Sequence, residues 1–146
     1  MERNGFIKSC VGFCLGGLFL DIGMTGCVSA NYFAKSTRNN NILNISKTEF
    51  LIEDNSRKKH RNYVLIKTEL LGFPIGLYKH SDGEFTAILM QCTHQGCELQ
   101  ANNQLLVCPC HGSEFNSYGI VQNPPAERNL KTFKTTTNND TIFIEL

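Results

Sequence analysis

The sequence has few charges, no long apolar run and no internal repeat. Charged residues make up 18% of the 146 residues and the formal net charge is +1, so nothing points to a polyanionic partner such as nucleic acid. No apolar run approaches the roughly 20 residues of a membrane-spanning helix. Hydrophobic residues, at 41%, are slightly scarcer than in an average domain, and Asn, Ser, Thr and Gly replace them. This composition predicts many turns and little long helix.

The one run of charges is Arg57-Lys58-Lys59-His60-Arg61. No aromatic side chains are interleaved with it, which argues against a platform for nucleic-acid bases. We expect a solvated loop between strands. A docking patch for an acidic partner protein is the alternative.

The first 26 residues have the features of an export signal. Arg3 and Lys8 give a positive start, and Cys10 to Leu20 is a stretch of eleven uncharged residues, the length of a signal-peptide apolar region. Met24-Thr25-Gly26-Cys27 then resembles a bacterial lipoprotein signal, in which the cysteine is lipidated after cleavage before it. We therefore expect residues 1–26 to be an export signal and Cys27 to be a lipid anchor.

The cysteine count agrees with this interpretation. Of the seven cysteines, cleavage would remove Cys10 and Cys14 and lipid would cap Cys27, so that four remain and none is left over. An uncleaved membrane anchor and a surface helix are the alternatives for this segment.

The rest of the chain is predicted to be a flexible tether, residues 27–41, followed by one domain, residues 42–146. The tether is polar and shows no apolar period. The domain shows no helical period, and turn residues separate its short β-type runs, which predicts an all-β antiparallel sandwich or barrel. The predicted strands are Lys47–Ile52, Tyr63–Thr68, Ile75–Lys79, Phe85–Met90, Leu105–Val107, Lys131–Thr136 and Thr141–Leu146.

Two short boxes within the domain carry metal-binding side chains. The first is Cys92-Thr93-His94-Gln95-Gly96-Cys97, and the second is Cys108-Pro109-Cys110-His111-Gly112-Ser113. Two cysteines and two histidines are a common set for structural zinc, which stays open. Each box, however, has a cysteine beyond what such a site requires. A binuclear centre with two sulfurs on one iron and two imidazoles on the other uses four of the six groups.

The paired boxes resemble those of Rieske iron–sulfur proteins, most closely the branch with subunits of cytochrome bc complexes and of arsenite oxidase. The resemblance implies one [2Fe–2S] cluster, with Cys92 and Cys108 on one iron and His94 and His111 on the other. It also implies that the two remaining cysteines of the boxes, Cys97 and Cys110, form a disulfide. The implied fold is a Rieske-type antiparallel β sandwich or barrel with a small cluster-binding subdomain of two loops, at about residues 91–126.

The same resemblance gives roles to residues around the boxes. Ser113 matches the position whose hydroxyl donates to a bridging sulfide. Phe115 stands where high-potential members carry a tyrosine that donates to a ligand cysteine, which implies a lower potential here. Gln95 stands where bc-type members commonly have a leucine that lines the quinol pocket. Asn123-Pro124-Pro125-Ala126 resembles the proline loop that covers the cluster.

The implied function is one-electron transfer at the outer face of a bacterial membrane, as a carrier or an electron-transfer subunit. The alternative is the Rieske subunit of a quinol-oxidising, bc-type complex or of a periplasmic oxidase. Implied partners are a cytochrome or another oxidoreductase subunit, with quinol as a further candidate. From the 146 residues we do not expect an additional oxygenase domain with a mononuclear iron site. A disulfide persists only in an oxidising compartment, so we expect an exported, membrane-anchored protein that faces the periplasm or cell surface.

Overall fold

The computed structural model describes residues 31–52 and 59–146, which consist almost entirely of antiparallel strands and loops. Within these ranges the only helix is a short 3-10 helix, Lys47–Phe50. The strands, labelled β1 to β13 in chain order, are Ser36–Asn39, Ile42–Ser46, Leu51–Ile52, Lys59–His60, Tyr63–Ile66, Ile75–Lys79, Phe85–Leu89, Gln100–Asn102, Leu105–Val107, Glu114–Asn116, Val121–Asn123, Thr132–Thr137 and Thr141–Glu145.

The strands of the described ranges form three sheets. The large sheet has seven strands in the order β1-β2-β13-β12-β7-β6-β5, and the small sheet has four in the order β11-β10-β9-β8. β3 pairs with β4 alone. Because β7 and β12 are neighbours in the large sheet, the chain leaves that sheet after β7, builds the small sheet and returns. The expected all-β antiparallel fold is confirmed.

Alternating side chains give the large sheet a buried face on each side. In β5, Val64 belongs to a first core together with residues of β2 and β13, while its neighbour Leu65 belongs to a second core. In β6, Leu77 and Tyr78 divide in the same way. Successive side chains of a strand point to opposite faces, so one short segment can serve two cores. The second core packs the large sheet against β9 and β10 of the small sheet.

Residues 31–41 correct the predicted tether. β1 pairs with β2 through a turn at Asn40, which has a φ of 53°. The segment before it is held against β5, because the N–H of Ala34 donates to the carbonyl of Leu65 at 2.8 Å and the N–H of Leu65 donates to that of Tyr32 at 2.9 Å. The predicted export signal and Cys27 lie outside the described residues.

The predicted strand Lys47–Ile52 was wrong over its first four residues, which form the 3-10 helix. Ser46 caps this helix by accepting a hydrogen bond at Oγ from the Thr48 N–H, a local alternative to a strand ladder. The part of the charge run that the structure describes, residues 59–61, also differs from the predicted loop. Lys59–His60 pairs with β3, and the Arg61 guanidinium lies 3.7 Å from the centroid of the Tyr32 ring.

Candidate metal centre

The two boxes become two loops at the same end of the molecule. Loop 1, residues 92–97, follows β7, and a bridge between Gln91 and Glu98 closes its base. Loop 2, residues 108–113, connects β9 to β10. The intervening hairpin β8–β9 is short, so the two loops come back beside each other. The first residue of each loop, Cys92 or Cys108, is buried in the second core.

Both loops have the same backbone hydrogen bonds. In loop 1 the Cys92 N–H donates to the carbonyl of Cys97 at 2.8 Å, and the Gly96 N–H donates back to the carbonyl of Cys92 at 2.9 Å. Loop 2 has the same two bonds: the Cys108 N–H donates to the carbonyl of Ser113 at 2.8 Å, and the Gly112 N–H donates to the carbonyl of Cys108 at 2.9 Å. The glycines have φ values of 76° and 78°, a region that disfavours other residues. The loops are therefore near-copies that face each other.

Each loop contributes one buried thiol. Cys92 and Cys108 are each 2% exposed, and both are free. Burial raises the pKa of the Cys92 thiol, and its hydrogen bond to the Cys108 sulfur raises that pKa further. The backbone N–H groups of His94 and Gln95 donate to the Cys92 sulfur and lower its pKa. These amides are placed to stabilise a thiolate.

Each loop also contributes one exposed imidazole. The rings of His94 and His111 have their centroids 5.1 Å apart. Both residues are exposed, in contrast to the thiols beneath them. The site therefore has sulfur donors on its inner side and nitrogen donors on its outer side.

A disulfide joins the two loops. Cys97 and Cys110 are bonded, with their Cα atoms 6.6 Å apart, as the resemblance implied. Their sulfurs and that of Cys108 lie within 4.8 Å of one another. These three do not form a thiolate ligand set, because two of them are oxidised. The bond instead holds loop 1 against loop 2.

A third segment, residues 123–128, closes over the loops. The buried Ser113 hydroxyl oxygen accepts a hydrogen bond from the Ala126 N–H at 3.0 Å, so its own proton stays available to donate. On the other loop, Thr93 Oγ1 donates to the carbonyl of Arg128 at 2.6 Å. The segment contains a cis peptide bond between Pro124 and Pro125. The two hydrogen bonds tie this segment to both loops.

Two aromatic residues are buried in the second core with Cys92 and Cys108. Phe115, fully buried on β10, lies two residues after the end of loop 2. Tyr78 is 1% exposed, and its hydroxyl has no hydrogen-bond partner among residues 31–52 and 59–146. Burial raises the pKa of Tyr78, with a smaller contribution from Tyr63. No local sequence pattern indicates the burial of Tyr78 or the contact between Thr93 and Arg128, because each depends on a distant segment.

The donor set fits a Rieske-type cluster. Such clusters take two thiolates on one iron and two imidazoles on the other. Here two adjacent buried sulfurs, amides aimed at one of them and two neighbouring exposed rings lie in paired loops.

Comparison with known proteins decides the family. The sequence model of the Rieske [2Fe-2S] domain matches residues 52–134, more than half of the chain. The chain belongs to this family. The cofactor of this Rieske protein is accordingly one [2Fe–2S] cluster. The matched residues include both loops and the segment that covers them.

The relatives of this Rieske protein include iron-sulfur subunits of cytochrome b6-f complexes. It is 38% identical over 79 residues to the cytochrome b6-f complex iron-sulfur subunit 2 of Nostoc sp., a match that covers 51% of this chain and 44% of the relative. It is 42% identical over 55 residues to the corresponding subunit of Prochlorococcus marinus, covering 36% of this chain and 31% of that relative. The chain thus matches less than half the length of these relatives.

A solved structure shares the fold. The plasma membrane Rieske protein PetC3 from Synechocystis superposes with a TM-score of 0.52 at 31% identity, covering 58% of this chain and 87% of that one. A quaternary ammonium Rieske monooxygenase, CntA, has a TM-score of 0.53 at 18% identity, covers 69% of this chain and 30% of its own, and shows the fold alone.

Proposed function

We propose that this Rieske protein transfers single electrons, as a carrier or electron-transfer subunit at the outer face of a bacterial membrane. The observation that carries the proposal is the position of the two histidines. His94 and His111 are adjacent and exposed at the tip, while the two free thiols are buried beneath them. A partner can therefore approach a metal through an imidazole edge while the protein core stays closed.

In this proposal Cys92 and Cys108 would hold one iron of the cluster, and His94 and His111 would hold the other. When bound, a [2Fe–2S] cluster of this type accepts and releases one electron. The N–H groups that donate to the Cys92 sulfur stabilise its negative charge. Ser113, buried and fixed by Ala126, has its hydroxyl proton free to donate inside the site.

The covalent link and the covering segment keep this geometry rigid. A disulfide that spans 13 residues reduces the conformational entropy of the unfolded chain, which stabilises the folded state by about 3 kcal/mol. The Thr93–Arg128 and Ala126–Ser113 hydrogen bonds fix each loop to the covering segment. Little rearrangement is then needed when the charge of the site changes, which favours fast electron transfer.

The proposed location is outside the cytoplasm, with the chain anchored to a membrane at its N-terminal end. A disulfide is stable in an oxidising compartment, which agrees with the export signal predicted for residues 1–26 and the lipid anchor predicted at Cys27. Within residues 31–52 and 59–146, no helix has the length and apolarity to cross a membrane. The relatives named above belong to cytochrome b6-f complexes, and PetC3 is named a plasma membrane protein.

The proposed partners are a cytochrome or another oxidoreductase subunit. The alternative, a Rieske subunit of a quinol-oxidising complex or of a periplasmic oxidase, is favoured by the names of the relatives. Quinol contact would occur at the exposed tip, where this chain has the polar Gln95. Redox titration with and without a quinone-site inhibitor separates the two, because only a quinol-docking protein shifts its potential.

The test of the proposal is the cofactor and its electron count in the purified full chain. We expect two irons and two sulfides per chain, a red-brown colour and a one-electron wave in voltammetry. His94→Ala should abolish the wave. His60→Ala, at an exposed position on β4, is the matched control and should leave it unchanged. A colourless protein with one zinc per chain would overturn the proposal.

A further inference from the structure

A polar groove opens beside His94 on the outer side of loop 1. Its volume is about 370 Å³, and its lining includes His94, Gln95, Arg128 and Lys131. Among residues 31–52 and 59–146, no Asp or Glu lines this groove. Both cations are exposed, so the groove presents two positive charges next to an imidazole that we have proposed as the electron exit.

Neither cation is neutralised within residues 31–52 and 59–146. The Lys131 ammonium lies 4.9 Å from the centroid of the Phe133 ring, a contact that leaves its charge uncompensated. The Arg128 guanidinium has no ion pair there, while the Arg128 carbonyl is tied to Thr93, the residue before His94. On the large sheet, in contrast, Lys134 pairs with Glu145 at 2.9 Å.

The nearest acidic residues in the sequence do not cancel this charge. Glu98, just after loop 1, lines a different groove, with Phe33 and Lys67. Glu127 precedes Arg128 but is not part of the lining. A carboxylate from outside is therefore the group that would complement the groove.

We propose that this groove docks a carboxylate-rich face of the redox partner protein, and so holds that partner against His94. The inference rests on the proposed electron transfer through the histidine edge. Exposed opposite charges accelerate encounter and fix orientation, whereas a short-lived electron-transfer complex needs little area. One electron passes between the proteins, and no bond forms or breaks. An anionic lipid headgroup offers similar charge but cannot accept an electron at this position.

The test uses one partner in two charge states. A small soluble cytochrome c with intact lysines is positively charged, and succinylation of its lysines makes the same protein negative. Lowering the ionic strength should increase the rate at which the reduced Rieske protein reduces the succinylated cytochrome. This increase should be larger than for the native cytochrome. The double variant Arg128→Gln/Lys131→Gln should lower the ratio of the two rates, succinylated over native, by about three- to ten-fold. If the substitutions change the potential of the Rieske protein, both rates change together, so the change in driving force cancels in the ratio.

The matched control removes the same net charge elsewhere. Lys47→Gln/Lys134→Gln lies on the large sheet, at the start of the 3-10 helix and on β12, and should leave the ratio unchanged. Calorimetry with both proteins oxidised gives a second readout without electron transfer, in which only the groove variant should weaken binding to the succinylated cytochrome.

Three results would overturn the inference. One is a ratio that both double variants change equally, since net charge alone would then explain it. Another is a wild-type preference for the native cytochrome. The third is an unchanged ratio together with binding to anionic phosphatidylglycerol vesicles that needs Arg128 and Lys131, which would assign the groove to lipid. In all three the cluster would still be present by its EPR signal, whereas its absence would reject the proposed function instead.

Discussion

The large sheet and the cluster-binding loops are held together in different ways. The first core of the large sheet is apolar and redundant, with Ile45, Leu77 and Ile142 fully buried among many similar side chains. The loops are joined to each other by one disulfide, and each is joined to the covering segment by one side-chain hydrogen bond, at Thr93 and at Ser113. Apolar burial therefore sets the stability of the fold, whereas a few polar and covalent links set the geometry of the site.

The largest expected effect is the loss of stability when a side chain of the first core is truncated. Leu77→Ala removes a fully buried side chain from β6 and should lower the free energy of unfolding by about 2–5 kcal/mol. Leu70→Ala, at a residue that is 50% exposed, is the control and should change it by less than about 0.5 kcal/mol. Guanidinium denaturation followed by circular dichroism measures both. Equal effects would mean that the core does not supply the stability.

Removal of the disulfide between the two loops should make the cluster site unfold before the large sheet does. Cys97→Ser/Cys110→Ser removes the loop link and should destabilise the cluster-binding loops by about 3 kcal/mol. The visible absorption should be lost at lower denaturant than the circular dichroism of the large sheet. Reduction of the wild-type disulfide should reproduce the result. A single transition that moves both signals together would contradict the distinction between the regions.

A third substitution tests whether a polar group in the second core changes the midpoint potential of the cluster. Phe115→Tyr adds a hydroxyl beside the buried cysteines, and a hydrogen bond to a charged sulfur is worth about 1.5 kcal/mol. The midpoint potential should rise by roughly 60 mV, since 59 mV is tenfold for one electron. Tyr78→Phe is the control: its hydroxyl has no partner in the described ranges, so its removal should leave the potential unchanged. No rise in voltammetry of Phe115→Tyr would reject the assigned position of Phe115.

The smallest expected effect concerns a contact between the two sheets. The His80 ring stacks on Tyr118 with centroids 4.0 Å apart, and burial lowers the pKa of His80 against the opposing influence of Asp82 and Glu84. The unfolded chain then binds the proton more readily, so the stability from neutral His80 is complete above its unfolded pKa of about 6.5 and is lost as the pH falls below it.

Replacement of this histidine tests the sign. The stability advantage of the wild type over His80→Gln should shrink between pH 8 and pH 5.5 in denaturant titrations. His60→Gln, at an exposed position on β4, is the control. An advantage that grows as the pH falls would contradict the direction of the pKa shift.

The sequence predicted the interior strands and the boxes well, because both are local patterns. β6 agrees with its prediction at both ends, since Ile75–Lys79 is bounded by turn residues. The Cys, His and Gly spacing of each box depends on six consecutive residues. β1 was missed because its polar residues form a strand only by pairing with β2, a tertiary cause. β10, three residues long, was missed because it is too short to show a period.

The surroundings of the site were harder to predict, because they depend on contacts between distant segments. The Ser113–Ala126 and Thr93–Arg128 bonds join residues 13 and 35 positions apart. The groove at Lys131 and the unpartnered hydroxyl of Tyr78 also depend on how the small sheet packs on the large one. A local pattern identifies the ligand candidates, but only the folded chain shows what fixes and surrounds them.

The most direct test of the account is the number of histidine nitrogens bound to the cluster. Pulsed EPR of the reduced full chain, grown with ¹⁵N-histidine, should show strong coupling to two nitrogens. His94→Ala and His111→Ala should each lose that signature, whereas His60→Ala should retain both couplings. A reduced cluster without strong ¹⁵N coupling would contradict ligation by His94 and His111, and with it the proposed route of the electron through the tip.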